Sequence, residues 1–159
     1  MLQCPADTST NHTGVATATD VCGVVTISFS DFVTNGCGGT KTISRTWTAT
    51  DLCGNTSSAV QTISVQDTTP PTITAPPNLV LECPANTSTS FTGVATAHDG
   101  CSAVTITYSD SVTNTCSGAT KTISRTWIAT DACGNSARAL LSGHAGSNEV
   151  AENDLIRSY

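Results

Sequence analysis

This sequence predicts an all-β fold, with two β-sandwich modules in tandem, stapled by disulfides. Three observations predict it. The chain repeats itself, its apolar residues alternate with Thr and Ser, and its eight cysteines fall at matching positions of the two copies.

The repeat comes first. Leu2-Gln3-Cys4-Pro5-Ala6 returns as Leu81-Glu82-Cys83-Pro84-Ala85, and Gly14-Val15-Ala16-Thr17-Ala18 returns as Gly93-Val94-Ala95-Thr96-Ala97. Lys41-Thr42-Ile43-Ser44-Arg45-Thr46-Trp47 returns as Lys121-Thr122-Ile123-Ser124-Arg125-Thr126-Trp127. Cys4, Cys22, Cys37 and Cys53 map in order onto Cys83, Cys101, Cys116 and Cys133, with one inserted residue near Ala119. The boundaries that follow are module 1 over residues 1–66, a linker over 67–71, module 2 over 72–142 and a polar tail over 143–159.

Each module reads as strands. Val25, Ile27 and Phe29 alternate with Thr26 and Ser28. Ile43, Trp47 and Ala49 share one parity of the next strand, while Thr42, Ser44, Thr46 and Thr48 hold the other. Ile63 and Val65 alternate with Thr62 and Ser64. A period of two in residues rich in Thr, Val and Ile is the mark of half-buried strands. Asn35-Gly36 and Cys53-Gly54-Asn55 supply turns between them. No helical period is expected before residue 136. Trp47 and Trp127 are expected in the cores. Arg45 and Arg125 share the tryptophan parity, which sets a charge on a buried face unless it stacks on the ring or reaches solvent at a strand end.

Four cysteines per module allow three pairings within it. With strands running alternately up and down, the first and third cysteines meet at one end and the second and fourth at the other. That predicts Cys4–Cys37, Cys22–Cys53, Cys83–Cys116 and Cys101–Cys133. Such bridges matter because modules this small have thin cores.

Composition narrows the function. The chain has 159 residues, a net charge of −6 and only 11% charged residues. Nucleic-acid binders need a basic patch, so that class is excluded. No Cys-x-x-Cys pair or Cys-His cluster has zinc spacing, and an even set of cysteines instead implies an oxidising compartment. Met1-Leu2-Gln3-Cys4 does not read as a signal peptide, which implies a processed form, a fragment or an export signal elsewhere. No apolar stretch reaches the ~18 residues of a membrane span. Asn11, Asn55 and Asn86 begin Asn-x-Ser/Thr sequons and are candidate glycan sites on loops. His12, His98 and His144 follow no shared pattern, no catalytic motif is present, and nearly every polar cluster is duplicated, so no enzyme is expected.

The phrases Ala49-Thr50-Asp51-Leu52-Cys53-Gly54-Asn55, Ala129-Thr130-Asp131-Ala132-Cys133-Gly134-Asn135 and Asp67-Thr68-Thr69-Pro70-Pro71-Thr72-Ile73 carry a resemblance. Over residues 2–136 the chain resembles the hyalin-repeat-like, Ig-like modules of bacterial surface and secreted proteins. The resemblance implies an Ig-like sandwich and an extracellular, adhesive or stalk-like role. It names no ligand.

The aspartates form a further pattern. Asp20 and Asp51 follow the same Ala-Thr dipeptide, and Asp99 and Asp131 are their counterparts. In the up-and-down arrangement Asp67, Asp99 and Asp131 converge, and gathered carboxylates suit a structural Ca²⁺. Each Asp also suits a turn, capping backbone N–H groups with its own side chain.

The two ends of the repeat pair differ. Module 1 has no counterpart of Thr72–Val80, and Ala137–His144 does not copy Ala59–Val65, so each module is expected to lack one strand. A fragment of a longer array would look this way. So would a subunit that receives a strand from its neighbour, which builds an open head-to-tail polymer. The expected role is an extracellular structural subunit of a fibril or stalk, its partner a second copy of itself. The alternative is a monomeric adhesion module for a surface glycan or protein.

Overall fold

The computed structural model describes residues 1–82, 86–115 and 120–146. Strands dominate, with two single-turn helices. The chain divides into two compact units. Unit 1 comprises Met1–Pro70 together with two loops from the second repeat, Asp99–Ala103 and Asp131–Asn135. Unit 2 comprises Pro71–His98, Val104–Thr130 and the chain from Ser136 onward.

Unit 1 holds β1 (Leu2–Gln3), α1 (Thr10–Thr13), β2 (Thr26–Asn35), β3 (Lys41–Thr50) and β4 (Thr56–Gln66). They form one sheet in the order β1-β4-β3-β2, antiparallel except that β1 runs parallel to β4. The register sets Trp47 between Phe29 and Ala59, and Ile43 beside Ile63. Ile43, Trp47, Ile63 and Val65 are buried, as the alternation requires.

Unit 2 holds β5 (Thr72–Thr74), β6 (Val80–Glu82), α2 (Thr89–Thr92), β7 (Thr96–His98), β8 (Val104–Thr115), β9 (Thr120–Asp131) and β10 (Ser136–Gly146). One sheet has the order β6-β10-β9-β8, and β5 pairs with β7 in a second, two-stranded sheet. Its core gathers Ala95, Trp127 and Leu141, with Ile73, Ala75 and Ile106 packed against them.

Two expectations are corrected here. The second repeat does not lack its last strand, because β10 pairs with β9 from Ser136↔Thr130 to Ala145↔Lys121. Ala137, Ala139, Leu141 and Gly143 turn inward while Arg138, Leu140 and Ser142 turn out, so the alternation survives although the residues differ from Ala59–Val65. This strand passes the boundary expected at residue 142. The two helices were also unexpected, since a single turn is too short to show a period. Asp7 and Asn86 precede them, accepting the Ser9 and Ser88 N–H groups at 2.8 and 3.0 Å.

The two repeats differ at one strand pair among the described residues. In unit 2, β5 pairs with β7 through Thr72↔His98, Ile73↔Ala97 and Thr74↔Thr96. The counterpart of β7 in the first repeat is Thr17–Thr19, which belongs to no strand. Beside it runs a groove lined by Ala16, Ile27, Trp47, Ala49 and Ala59.

The paradoxical arginines are resolved by the registers. Arg45 sits opposite Asp31 across β2 and β3 and is buried. Its Nε and Nη2 donate to the two Asp31 carboxylate oxygens at 2.8 Å each, Nη1 donates to Thr13 Oγ1 at 2.8 Å, and Nη2 also donates to the Thr8 carbonyl at 3.0 Å. The guanidinium lies 4.6 Å from the centre of the Phe29 ring. Arg125 repeats the arrangement with Asp110 at 2.7 and 2.8 Å, Thr92 Oγ1 at 2.8 Å and the Thr87 carbonyl at 2.9 Å, 4.5 Å from the Tyr108 ring centre. Four of the five guanidinium N–H groups thus have acceptors, two of them carboxylate oxygens, and a fork of donors used this far can stay buried. Neither arginine reaches solvent at a strand end.

Candidate functional site

One end of unit 1 concentrates the unusual chemistry. It combines the start and end of the first repeat's sheet with the loops Asp99–Ala103 and Asp131–Asn135. Asp67 directly follows β4, Asp99 follows β7, and Asp131 closes β9.

The loops are shaped by their own aspartates. Asp99 Oδ1 accepts the N–H groups of Cys101 and Ser102, both at 2.8 Å. Asp131 Oδ1 accepts those of Cys133 at 2.8 Å and Asn135 at 2.9 Å, and its Oδ2 accepts Asn135 Nδ2 at 2.8 Å. Asn135 Nδ2 also donates to the Asp67 carbonyl at 3.1 Å. Burial works to raise the Asp131 pKa, but the hydrogen bonds from Asn135, Cys133 and Gly134 outweigh it and hold this carboxyl below its ordinary value.

Asp67, Asp99 and Asp131 come together. One oxygen from each lies within 4.8 Å of the others, and Asp67 and Asp131 are buried. Asp67 Oδ1 accepts Gln3 Nε2 at 3.3 Å and the Thr69 N–H at 3.2 Å. Asp67 Oδ2 is buried and has no hydrogen-bond donor among the described residues. A buried carboxylate oxygen without a partner is costly unless a cation faces it. Opposite oxygens on one Ca²⁺ stand about 4.6–5.2 Å apart, and the three oxygens fall within that span. The other two candidate ligands, Asp20 and Asp51, do not join them. Both lie along a separate concavity with Ala18, Val25, Ala49 and Asn55, and no third acidic group completes a cluster there among the described residues.

Two disulfides flank the three aspartates. Cys4 bonds Cys101, and Cys37 bonds Cys133. This corrects the pairing expected from sequence. Cys4 and Cys37 do lie near one another, since Gly39 approaches Cys4 Sγ and donates its N–H to the Cys101 carbonyl at 3.0 Å. Each is instead taken by a cysteine of the second repeat. The proposed Cys22–Cys53 bridge does not form, and both thiols are free and exposed. Cys83 and Cys116 lie outside the described residues. Two glycines permit the close packing: a Cβ on Gly38 would stand 2.5 Å from Ser102 Cβ, and one on Gly39 would stand 2.9 Å from Cys4 Sγ.

Sequence reasoning did not single out Gly38, Gly39, Asn135 or the arginine partners Asp31 and Asp110. Asn135 had a usable signal, its repetition as Asn55 in the Asp-x-Cys-Gly-Asn phrase. The sequon residues Asn11, Asn55 and Asn86 are all exposed, although the Asn55 side-chain amide donates to Asp51 Oδ2 at 2.8 Å. Among the described residues no helix is long and apolar enough to cross a membrane. No protein-family model matches the chain, and no curated protein matches it.

Proposed function

We propose that this protein is an extracellular structural subunit of a fibril or stalk, built of Ig-like sandwiches and extended head to tail by strand complementation between copies. The observation that carries this reading is the unpaired Thr17–Thr19 segment. Its counterpart β7 is covered by β5, whose Ile73 packs near Trp127. Among the described residues no strand pairs with the same edge in the first repeat, which lies beside Trp47 with a groove of the right lining. Open edges pair with strands of other chains unless they are blocked. A segment like Thr72-Ile73-Thr74 from a second copy has the matching alternation. The disulfides fit an oxidising, extracellular setting, and the low charge fits a surface that is covered by Thr, Ser and glycans at exposed sequons. No catalytic role is assigned.

The reading includes a structural Ca²⁺ on Asp67, Asp99 and Asp131. The donorless Asp67 oxygen supports it. The ion would tie the end of β4 to both second-repeat loops of unit 1, adding to the two disulfides.

Electron microscopy of the purified protein, with calcium and with EDTA, tests both parts. Regular filaments are expected with calcium, and Asp67→Asn is expected to behave as the EDTA sample does. A synthetic peptide spanning residues 67–77, added in excess, is expected to cap Thr17–Thr19 and shorten the filaments. Discrete monomers under all conditions would overturn strand complementation. Filaments indifferent to EDTA and to Asp67→Asn would overturn the calcium assignment alone.

A further inference from the structure

Each of the three clustered carboxylates is a short step from a disulfide. Asp99 Oδ1 accepts the Cys101 N–H at 2.8 Å, and Asp131 Oδ1 accepts the Cys133 N–H at 2.8 Å. Asp67 Oδ1 accepts the side-chain amide of Gln3 at 3.3 Å. The residue after Gln3 is Cys4, whose N–H donates to the carbonyl of Gln66, next to Asp67, at 2.8 Å. The two bridges join these same cysteines, Cys4 to Cys101 and Cys133 to Cys37. We infer that the bridges and the cation site are thermodynamically coupled: reduction of Cys4–Cys101 and Cys37–Cys133 releases Ca²⁺, and bound Ca²⁺ protects both bridges from reduction. The inference rests on the calcium reading above and adds its regulation.

Electrostatics supplies the coupling. Three carboxylates whose oxygens lie within 4.8 Å of one another repel. No ion pair among the described residues offsets that repulsion, since the arginines hold Asp31 and Asp110 instead. Asp67 Oδ2 is buried without a donor among the described residues, so this oxygen bears the charge without relief. Asp99 and Asp131 enter from the second repeat, on loops that the bridges hold against the first-repeat sheet. Neutral hydrogen bonds assist, from the Gly39 N–H to the Cys101 carbonyl at 3.0 Å and from Asn135 Nδ2 to the Asp67 carbonyl at 3.1 Å. They are weaker than the covalent bonds beside them.

The oxidised protein therefore gathers the three oxygens before an ion arrives, and binding requires little further ordering. Once the bridges open, the two loops are held by non-covalent contacts alone. Repulsion then works to separate the carboxylates, and affinity falls. Linkage requires the reverse as well. Whatever factor the disulfides add to cation affinity, a bound cation adds to the equilibrium of disulfide over thiols. Couplings of this kind amount to about 5- to 150-fold.

The bridges are within reach of a small reductant. Cys37 is exposed, and Cys4, Cys101 and Cys133 are partly exposed. A dithiol of the dithiothreitol type supplies the electrons. Its thiolate attacks one sulfur of the bridge, the S–S bond breaks, and a mixed disulfide forms. The second thiolate of the reductant then displaces the remaining protein sulfur. Each bridge gains two electrons and two protons as it becomes two thiols. The dithiol loses the same number as it closes to a cyclic disulfide.

The test is an equilibrium titration of the full chain in mixtures of reduced and oxidised dithiothreitol, with calcium or with EDTA at equal ionic strength. Alkylation and peptide mass mapping read the thiol fraction at Cys4, Cys37, Cys101 and Cys133. Calcium is expected to raise the dithiol-to-disulfide ratio needed for half reduction on the order of tenfold, and Asp67→Asn is expected to abolish that shift. Calorimetric titration with calcium reads the other side of the linkage. Cys4→Ser/Cys101→Ser, which keeps the second bridge, is expected to bind calcium on the order of tenfold more weakly than the oxidised wild type. The wild-type redox titration stands whether or not this variant folds. Calorimetry also separates the inference from its parent. An oxidised wild type that takes up no calcium discards the calcium reading and the coupling together. Calcium binding by the wild type, with a half-reduction point that calcium does not move, discards the coupling alone. An Asp67→Asn shift equal to that of the wild type does the same, because the protection then comes from elsewhere.

Discussion

Leu141→Gln should cost far less stability than its burial suggests. In unit 1 Trp47 Nε1 donates to Gln61 Oε1 at 3.2 Å, and Gln61 Nε2 donates to the Thr13 carbonyl at 2.8 Å. Gln61 faces Arg45 across the sheet, and Leu141 faces Arg125 in the same register. Leu141 therefore occupies the glutamine position of the second repeat, and Trp127 Nε1, buried, has no acceptor among the described residues. Truncation by Leu141→Ala leaves a cavity and should cost about 2–5 kcal/mol. Leu141→Gln nearly conserves volume, losing about 2 kcal/mol of apolar transfer. It relieves an unsatisfied indole N–H, worth about 1–3 kcal/mol, and adds a bond to the Thr92 carbonyl, worth about 1 kcal/mol. The net change should lie between about zero and about 2 kcal/mol of stabilisation by that arithmetic. Urea denaturation followed by circular dichroism reads the stabilities of both variants. In parallel, the Trp127 indole proton should move downfield in the NMR spectrum of Leu141→Gln. If Leu141→Gln is as destabilised as Leu141→Ala, or the indole proton stays in place, the transfer of the unit 1 arrangement to unit 2 is wrong.

Two more outcomes are expected. Removing one staple by Cys37→Ser/Cys133→Ser opens a loop that runs from Cys37 back to Cys4 and from Cys101 on to Cys133, about 65 residues, and should lower stability by about 4 kcal/mol. That is a midpoint shift of about 2 M urea for a domain of this size, and a shift near zero would refute the chain-entropy account. Arg125 holds the Asp110 carboxyl below its ordinary value of 3.8, chiefly through their hydrogen bonds. A carboxyl whose folded pKa is depressed binds protons more readily when unfolded, so its stabilisation is complete above pH 3.8 and is lost as pH falls through the lower folded value. Asp110→Asn should flatten the stability profile on the acid side of about pH 4, read as the pH dependence of the thermal midpoint, and an unchanged slope would refute it.

Much of the fold was legible because Thr-rich strands keep a strict period of two. The parities of Ile43, Trp47 and Ile63 were readable directly, and the structure buries all three. β10 escaped notice because Leu141 is the one large apolar residue among its inward Ala137, Ala139 and Gly143, while the adjacent outward Leu140 is 63% exposed, so hydrophobicity no longer marks the inner face. Arg45 was visible as an anomaly but its partner was not. The signal lay in the hairpin register, which sets Asp31 directly opposite. The cysteine pairing failed for a physical reason. Topology says which cysteines share an end of a module, whereas a bond also depends on which other loops arrive there, and duplicated loops give identical local signals. The three-aspartate group was anticipated from the up-and-down arrangement, and the structure brings those oxygens within 4.8 Å of one another, while Asp20 and Asp51 stand apart for want of a third carboxylate.

The wiring of the staples changes how the chain answers tension. A pull applied at both termini enters at Cys4 and crosses to Cys101, so that the 97-residue separation between them is bypassed. Beyond that point the load divides between two short spans, one from Cys4 to Cys37 and one from Cys101 to Cys133, which rejoin at the second bridge. An extended residue spans at most about 3.6 Å, so the bonds withhold roughly 300 Å of contour length from stretching. Under oxidising conditions such a chain is a short, stiff link. Under reducing conditions the same sequence becomes a long, extensible one.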